Sequence, residues 1–224
     1  MGLTPSATAI DQLLFYADRL LAQNQVMNLT AITQPDQVAE LHFLDSAAIL
    51  PFWDAKGRSL IDVGTGGGFP GLVLKILEPS LRLTLLDSLG KRVDWLSALC
   101  RELGFDDVTC LHARAEELAH DPAYRDTFDG ATSRAVASLP LLCELCLPYV
   151  KPGGVLLALK GEKAREEAAQ AARAIAVLQG KPPSFQDYAL PLSGAARCLV
   201  SIPKTQATPK GYPRRWSKMQ KARI

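Results

Sequence analysis

The sequence predicts an α/β protein with a doubly wound, mostly parallel sheet and an N-terminal helical cap. Short apolar runs, typical of buried parallel strands, alternate with longer amphipathic segments that are typical of helices. The first run, 59–63, leads directly into a glycine-rich turn, and doubly wound sheets bind ligands at such strand ends. With 224 residues, 48% of them hydrophobic, the chain can form one large domain or a domain with a smaller extension.

Periodicity and turn residues place the individual elements. Helices are predicted after the N-cap Ser6, from 35–36 to about Leu50, and at 71–77, 91–103, 139–149 and 162–178. Strands are predicted at 59–63, 82–86, 107–111, 128–133 and 155–159, with a closing antiparallel pair at 185–190 and 198–202. We therefore expect a helical cap at 1–58, a ligand-binding core at 59–203 and a basic tail at 204–224.

The glycine-rich turn carries the strongest chemical signal. Glycines at 64, 66, 67, 68 and 71 let a ligand approach the backbone closely. With the next helix N-terminus they can hold the polar end of a nucleotide-like ligand. Their spacing also fits the dinucleotide fingerprint. Asp62 argues against a pyrophosphate, because a carboxylate repels phosphate and attracts a cation such as an amino acid ammonium. The pattern D-x-G-x-G-x-G resembles the first motif of class I S-adenosylmethionine (AdoMet) methyltransferases.

Three further acidic or histidine side chains are candidates near this ligand. Asp87 ends the second strand, where a carboxylate can accept hydrogen bonds from both ribose hydroxyls. This supports a ribose without distinguishing AdoMet from NAD. His42 and Asp45 share one face of the second helix. They either anchor that helix as a polar pair or lie over the ligand site.

The charge distribution indicates a polyanionic partner. From Val200 onward there is no acid, and the basic residues are Lys204, Lys210, Arg214, Arg215, Lys218, Lys221 and Arg223. The rest of the chain has 18 basic and 23 acidic residues, a net charge of −5. A basic tail on an acidic body favours a polyanion, and a solvated terminal tail is the alternative. If the tail binds RNA, truncation after Val200 should flatten the salt dependence of RNA affinity.

The five scattered cysteines predict reduced thiols and a cytoplasmic location. Cys143 and Cys146 fall on a predicted helix without a second such pair, so a core position is favoured over a redox or metal site. The three histidines are far apart, so no metal site is expected. No apolar stretch reaches the roughly 20 residues that a membrane span needs, so no membrane partner is expected.

Several strings together resemble one family, the RsmG (glucose-inhibited division protein B) family of 16S rRNA guanine-N7 methyltransferases. They occur in one order along the chain. They are Asn28–Thr30, the string H-F-L-D-S at 42–46, the loop at 62–71, D-S-L-G-K-R at 87–92, S-R-A at 133–135, A-L-K-G at 158–161 and T-P-K-G-Y-P-R at 208–214. The similarity covers about residues 24–215. Gly67 departs from it, because the family often has proline there.

The resemblance implies a class I methyltransferase fold, AdoMet as methyl donor, and methylation of N7 of a single guanine in 16S rRNA or the small ribosomal subunit. A monomer is expected, although the sequence itself does not give the oligomeric state. It also implies donor contacts at Gly64, Phe69, Ala115, Glu116 and Arg134. The physical argument above adds Asp62, Gly66 and Asp87. We expect no general base, with positioning by Arg134, His42 and Asp45. The predicted RNA contacts are Lys91, Arg92, Lys160, Lys210, Arg214 and Arg215.

Three alternatives remain at this point. An AdoMet methyltransferase acting on a small molecule would share the glycine turn but would not need the basic tail. An NAD-dependent dehydrogenase fits less well, because Asp62 has the wrong charge. An RNA-binding or assembly protein without a cofactor would keep the tail and tolerate loss of Asp62.

Overall fold

The computed structural model describes Gly2, residues 4–221 and Ile224. It has mixed α/β architecture with a seven-stranded, mostly parallel sheet, which confirms the predicted fold class. The chain divides into two compact units. The first unit comprises Met1–His112 with Leu190–Ala195, and the second comprises Ala113–Ala189 with Ala196–Ile224.

The first unit combines the helical cap with three parallel strands in the order β3-β2-β1. Its strands are β1 (Ser59–Val63), β2 (Arg82–Asp87) and β3 (Thr109–His112). Its helices are α1 (Ala7–Met27), α2 (Pro35–Val38), α3 (Asp45–Ala47), α4 (Gly71–Leu77) and α5 (Gly90–Glu102). A π-helical segment, Ala39–Leu44, joins α2 to α3. Strands β1 and β2 are almost wholly buried, as apolar parallel strands should be.

Two predictions for the helical cap can be compared with the structure. Ser6 is the N-cap of α1, and its Oγ accepts a hydrogen bond from the Ala9 amide at 3.1 Å. The second helix ends at Ala47 rather than near Leu50, so that predicted boundary was too long. The Leu50 amide bonds to the carbonyl of Ala47, three residues back. The chain therefore tightens into turns before Pro51 instead of continuing the α-helix.

The second unit contains four strands in the order β4-β5-β7-β6. Its strands are β4 (Phe128–Arg134), β5 (Val150–Lys160), β6 (Ser184–Ala189) and β7 (Ala196–Pro203). Its helices are α6 (Ala115–Leu118), α7 (Leu139–Cys146), α8 (Ala164–Val177) and α9 (Trp216–Lys221), and a short 3-10 turn, Leu147–Tyr149, follows α7. Strands β6 and β7 pair antiparallel, which confirms the predicted closing hairpin.

Strand β5 begins five residues earlier than the sequence predicts. Val150 already pairs with Phe128, and the register shifts between Phe128 and Gly130 before regular pairing resumes at Val155. The Pro-Gly-Gly segment that suggested a turn is therefore an irregularity within the strand. Among the described residues, no helix combines the length and apolar character that a bilayer crossing requires.

Candidate cofactor site and basic surface

The glycine turn after β1 is held in place by backbone hydrogen bonds within the first unit. The amides of Gly64 and Thr65 both donate to the carbonyl of Leu86, at 2.8 and 3.1 Å. The amides of Gly68 and Phe69 donate to the carbonyl of Thr65, at 2.9 and 3.0 Å. The turn, defined here as the loop 64–70, is therefore anchored to β2 at its start and closed on itself at Thr65.

Asp62, completely buried at the end of β1, ties this loop to the next helix. Its Oδ2 accepts hydrogen bonds from Thr65 Oγ1 and from the Gly71 amide, both at 2.8 Å. A Cβ on residue 71 would lie 2.9 Å from Oδ2, so only glycine lets helix and carboxylate approach this closely. Sequence reasoning considered only a cationic ligand for Asp62 and missed this internal role. The expected contact with the cofactor stays a prediction.

Asp87 is brought to the same loop by the pairing of β2 with β1. Its Oδ2 accepts a hydrogen bond from the Gly66 amide and its Oδ1 one from the Leu89 amide, both at 2.9 Å. Arg92 Nη1 lies 3.7 Å from Oδ2. Because each carboxylate oxygen has two lone pairs, Asp87 keeps the capacity to accept ribose hydroxyls as well.

The loop is open at Gly66 and closely packed at Gly68. An added Cβ at Gly66, where φ is +59°, would have Gly64 O as its nearest atom, at 4.0 Å. The backbone at Gly66 is thus open to a bound molecule. Gly68 differs, because φ is +100° and an added Cβ would lie 2.5 Å from Tyr16 Oη. The loop thus has one open face beside the acceptor Asp87, where the ribose contact predicted from the sequence stays a prediction.

Three aromatic side chains of the helical cap, Tyr16, His42 and Phe43, pack on Phe69 of this loop. The Phe69 ring centre lies 4.4 Å from that of His42 and 5.3 Å from that of Tyr16, each pair nearly parallel. The Tyr16 hydroxyl donates to the carbonyl of Gly67. Sequence reasoning missed Tyr16, because one tyrosine on a helix face gives no signal of the loop it contacts.

His42 connects the loop to the break between α1 and α2. A hydrogen bond of 2.8 Å joins His42 Nε2 and Thr30 Oγ1, and Thr30 exchanges two hydrogen bonds with the side chain of Asn24. Asp45, only 4% exposed, lies one turn further along the helix. His42 thus stacks on a predicted cofactor residue while also anchoring its own segment. Its predicted positioning role, like that of Asp45, stays a prediction.

In the second unit, Ala115 and Glu116 open the short helix α6. Glu116 is 6% exposed, and its Oε1 accepts a hydrogen bond from Arg114 Nε at 2.6 Å. The guanidinium of Arg114 lies 5.6 Å from the ring centre of Trp216 in α9. The Tyr149 hydroxyl donates to the Ala115 carbonyl at 2.6 Å. The structure thus adds Arg114 as a residue that orients Glu116.

Arg134 is the last residue of β4, and the loop that follows it is held by Lys160. Lys160 Nζ donates to the Ala137 carbonyl at 2.7 Å and to Glu167 Oε2 at 2.9 Å. The same Glu167 oxygen accepts the Leu139 amide at 2.7 Å. Two of the three ammonium hydrogens of Lys160 are therefore used within the protein. One remains for the predicted phosphate contact, which stays a prediction.

The first part of the basic tail is docked on the body of the second unit, so the solvated-tail alternative is wrong for it. Arg125 provides the main contact by donating to four carbonyls. They are those of Ala119, Thr208, Pro209 and Tyr212, at 2.7–3.1 Å. His120 Nε2 lies 3.0 Å from the carbonyl oxygen of Pro213.

Two tail cations are used inside the protein. Lys204 is 2% exposed and donates to Asp126 Oδ1, to the Leu147 carbonyl and to Thr208 Oγ1. All three ammonium hydrogens are engaged, so Lys204 has none left for a phosphate. Arg214 forms a two-pronged pair with the buried carboxylate of Glu144, at 2.8 and 2.7 Å. This hydrogen-bonded pair raises the pKa of Arg214.

The other tail cations that the structure describes are exposed. They are Lys210, Arg215, Lys218 and Lys221, and we call them the exposed tail cations. Arg223 lies outside the described residues. In the first unit, Lys91 is exposed at the start of α5, whereas Arg92 is half-buried beside Asp87.

Cys143 and Cys146 are completely buried on α7, which confirms the predicted core position. Burial raises the pKa of the Cys143 thiol to about 12. A thiol with that pKa is not a nucleophile near neutral pH.

Comparison with solved structures identifies the class of fold. An O-methyltransferase from Bacillus cereus in complex with SAH (S-adenosylhomocysteine, the product that AdoMet leaves after methyl transfer) matches with a TM-score of 0.58 at 16% identity. The match covers 85% of this chain and 91% of that one. A SAM-dependent methyltransferase from Aquifex aeolicus matches with a TM-score of 0.56 at 18% identity, over 75% of this chain and 93% of that one. The chain therefore has the class I AdoMet-dependent methyltransferase fold.

Sequence comparison then identifies the family. The family model described as rRNA small subunit methyltransferase G matches residues 9–191. A ribosomal RNA small subunit methyltransferase G from Desulfitobacterium hafniense is 44% identical over 210 residues, which cover 94% of this chain and 87% of the relative. The enzyme of the same name from Alkaliphilus metalliredigens is 46% identical over 207 residues. The chain belongs to the rRNA small subunit methyltransferase G (GidB) family, and AdoMet is its methyl donor.

Proposed function

We propose that this protein transfers a methyl group from AdoMet to N7 of a single guanine in 16S rRNA. The relatives named above are ribosomal RNA small subunit methyltransferases. The observation that carries the proposal for this chain is the set of exposed tail cations on the second unit. A small-molecule methyltransferase has no need of four exposed cations on a segment without acids, whereas such cations can neutralise the phosphates of an RNA.

AdoMet, when bound, would supply a methyl group on a positively charged sulfur. The N7 lone pair would form a bond to the methyl carbon, and the electron pair of the broken carbon–sulfur bond would stay on sulfur. Guanine N7 is an acceptor without a proton. No group of the protein therefore has to remove a proton before attack. The residues of the protein bind and orient AdoMet and the guanine, and they exclude water from the site. Such positioning can supply roughly 7–11 kcal/mol of the barrier reduction.

Asp62 and Asp87 are proposed to face the ammonium and the ribose of AdoMet, next to the open backbone of Gly66. Phe69 and Gly64 belong to the same loop. We propose further donor contacts from Ala115, Glu116 and Arg134 of the second unit. The buried carboxylate of Glu116 is already oriented by Arg114.

The exposed tail cations, together with Lys91, are proposed to contact RNA phosphates. Arg215 and Lys210 keep their predicted roles unchanged. Arg214, Arg92 and Lys160 each pair with a carboxylate of the protein. We propose that these pairs are their main role and that a contact with RNA is an additional one. The cytoplasmic location and the monomeric state stay predictions.

The test is transfer of labelled methyl from AdoMet to 16S rRNA that lacks the modification, both free and in small subunits. Chemical strand scission at 7-methylguanosine locates the product. We expect label at one guanine, and none on rRNA that already carries the modification. If AdoMet binds but no RNA is labelled, the small-molecule alternative replaces this proposal.

A further inference from the structure

We propose that Tyr16 of α1 is a positioning residue for the AdoMet site. Its hydroxyl fixes the Gly67 carbonyl, and this contact sets the affinity of the loop for AdoMet. The inference rests on the AdoMet-dependent methyl transfer proposed above. It assigns a binding role to the N-terminal helix α1, none of whose residues was predicted from the sequence to belong to the site.

Tyr16 is completely buried and contacts the loop in two ways. Its hydroxyl donates to the Gly67 carbonyl. Its ring lies 5.3 Å, centre to centre, from the ring of Phe69 and nearly parallel to it. A buried hydroxyl needs a hydrogen-bond partner, so Tyr16 and the loop carbonyl satisfy each other. One side chain thus restrains both the backbone and the aromatic residue of the loop.

The loop needs such a restraint because it is rich in glycine. Glycine loses more conformational freedom on ordering than any other residue, and three glycines follow one another here at 66–68. Hydrogen bonds from Gly66 and Gly68 fix the loop on either side of Gly67. The Tyr16 bond fixes the residue between them.

The surroundings of Gly67 show how closely this region is packed. An added Cβ there would lie 3.2 Å from Phe69 Cε2 and 3.3 Å from Leu20 Cδ1. Leu20, also fully buried, lies one turn after Tyr16 on α1. A shift of α1 would therefore move the carbonyl of Gly67 and the ring of Phe69 together.

The decisive variant is Tyr16→Phe, which removes the hydroxyl and keeps the ring. Loss of one ordinary hydrogen bond corresponds to about fivefold weaker binding. We expect the dissociation constant and the KM for AdoMet to rise by about that factor. We also expect kcat at saturating AdoMet and the KM for RNA to stay at their wild-type values. Tyr124→Phe, which removes a hydroxyl from a half-buried residue of the second unit, is the matched control and should bind AdoMet as the wild type does.

Isothermal titration calorimetry measures the affinity without relying on catalysis. An AdoMet dissociation constant for Tyr16→Phe within twofold of the wild type would overturn the proposal. So would an equal loss in kcat and in affinity for both substrates, since that pattern indicates general structural damage.

Gly67→Ala tests the packing of α1 against the loop and does not depend on the folding of Tyr16→Phe. The new methyl group must push Phe69 or Leu20 aside by a few tenths of an ångström, so AdoMet binding should weaken. Wild-type affinity in this variant would contradict the restraint of the loop by α1 on which the proposal rests. A wild-type protein that binds AdoMet but methylates no RNA would refute the proposed function and leave the role of Tyr16 intact.

Discussion

The glycine loop of the first unit and the basic tail of the second unit are the two most conspicuous stretches of the sequence, and the protein uses their residues differently. In the loop, Asp62 and Asp87 bond to the loop backbone, yet the backbone at Gly66 stays open. In the tail, Lys204 and Arg214 are paired within the protein. Of the tail cations that the structure describes, only the exposed tail cations are classed as exposed to solvent. Residue type identifies a functional stretch, whereas neighbouring groups decide which of its members remain free for a ligand.

The largest effect on stability is expected from Lys204→Met. Removing one partner of a buried ion pair costs about 3–5 kcal/mol where the other charge is left uncompensated. Asp126 would lose its ammonium partner but keep the Thr208 donors and Arg125 Nε at 3.8 Å, and the Leu147 carbonyl would keep the Val150 amide. We therefore expect a cost of about 3 kcal/mol, at the lower end of that range. Urea denaturation measures the change, and Lys210→Met serves as the exposed control, expected within about 0.5 kcal/mol of the wild type. Equal stabilities of the two variants would show that the tail is not docked in solution.

An intermediate effect is expected at the loop, from a comparison of two glycines. Gly66→Ala and Gly68→Ala both place a side chain at positive φ, which costs about 1–2 kcal/mol. Only at Gly68 would the new Cβ also collide with Tyr16. We expect Gly68→Ala to lower the free energy of unfolding further, and Gly66→Ala to act mainly on AdoMet affinity.

Denaturation and calorimetry on the same two proteins separate these effects. If Gly66→Ala bound AdoMet as the wild type does, the open face of the loop would not be the cofactor site.

The smallest effect on stability is expected when all four exposed tail cations are replaced by alanine. Each single-stranded phosphate contact contributes about −0.7 to the slope of log K against log salt, so the slope should flatten by about 3. AdoMet affinity and unfolding free energy should not change. This variant replaces truncation after Val200, which would also remove the end of β7 and Lys204. A wild-type salt slope in the quadruple variant would exclude the tail from RNA binding.

Strands β1 and β2 and the glycine loop were predictable because their signals are local. Apolar runs of five or six residues located β1 and β2, and the glycines located the loop. The boundaries of β5 were not predictable, because the pairing of Val150 with Phe128 lets a Pro-Gly-Gly segment lie within a strand. Local sequence does not contain that partner.

The contacts that orient the candidate site were also beyond the sequence. Tyr16 reaches a loop 51 positions away, and Glu144 meets Arg214 at a separation of 70. Neither pair has a spacing that a pattern can recognise. The resemblance to a family supplied Ala115, Glu116 and Arg134, for which composition and periodicity gave no indication.

The position of Arg125 has a consequence for how the chain end opens. Its guanidinium is shared by carbonyls from three places in the tail and one in the segment before β4. Because one guanidinium binds the carbonyls of Thr208, Pro209 and Tyr212, we expect residues 208–212 to open as one cooperative unit. Lys210 lies within that unit, whereas the other exposed tail cations follow it along the chain.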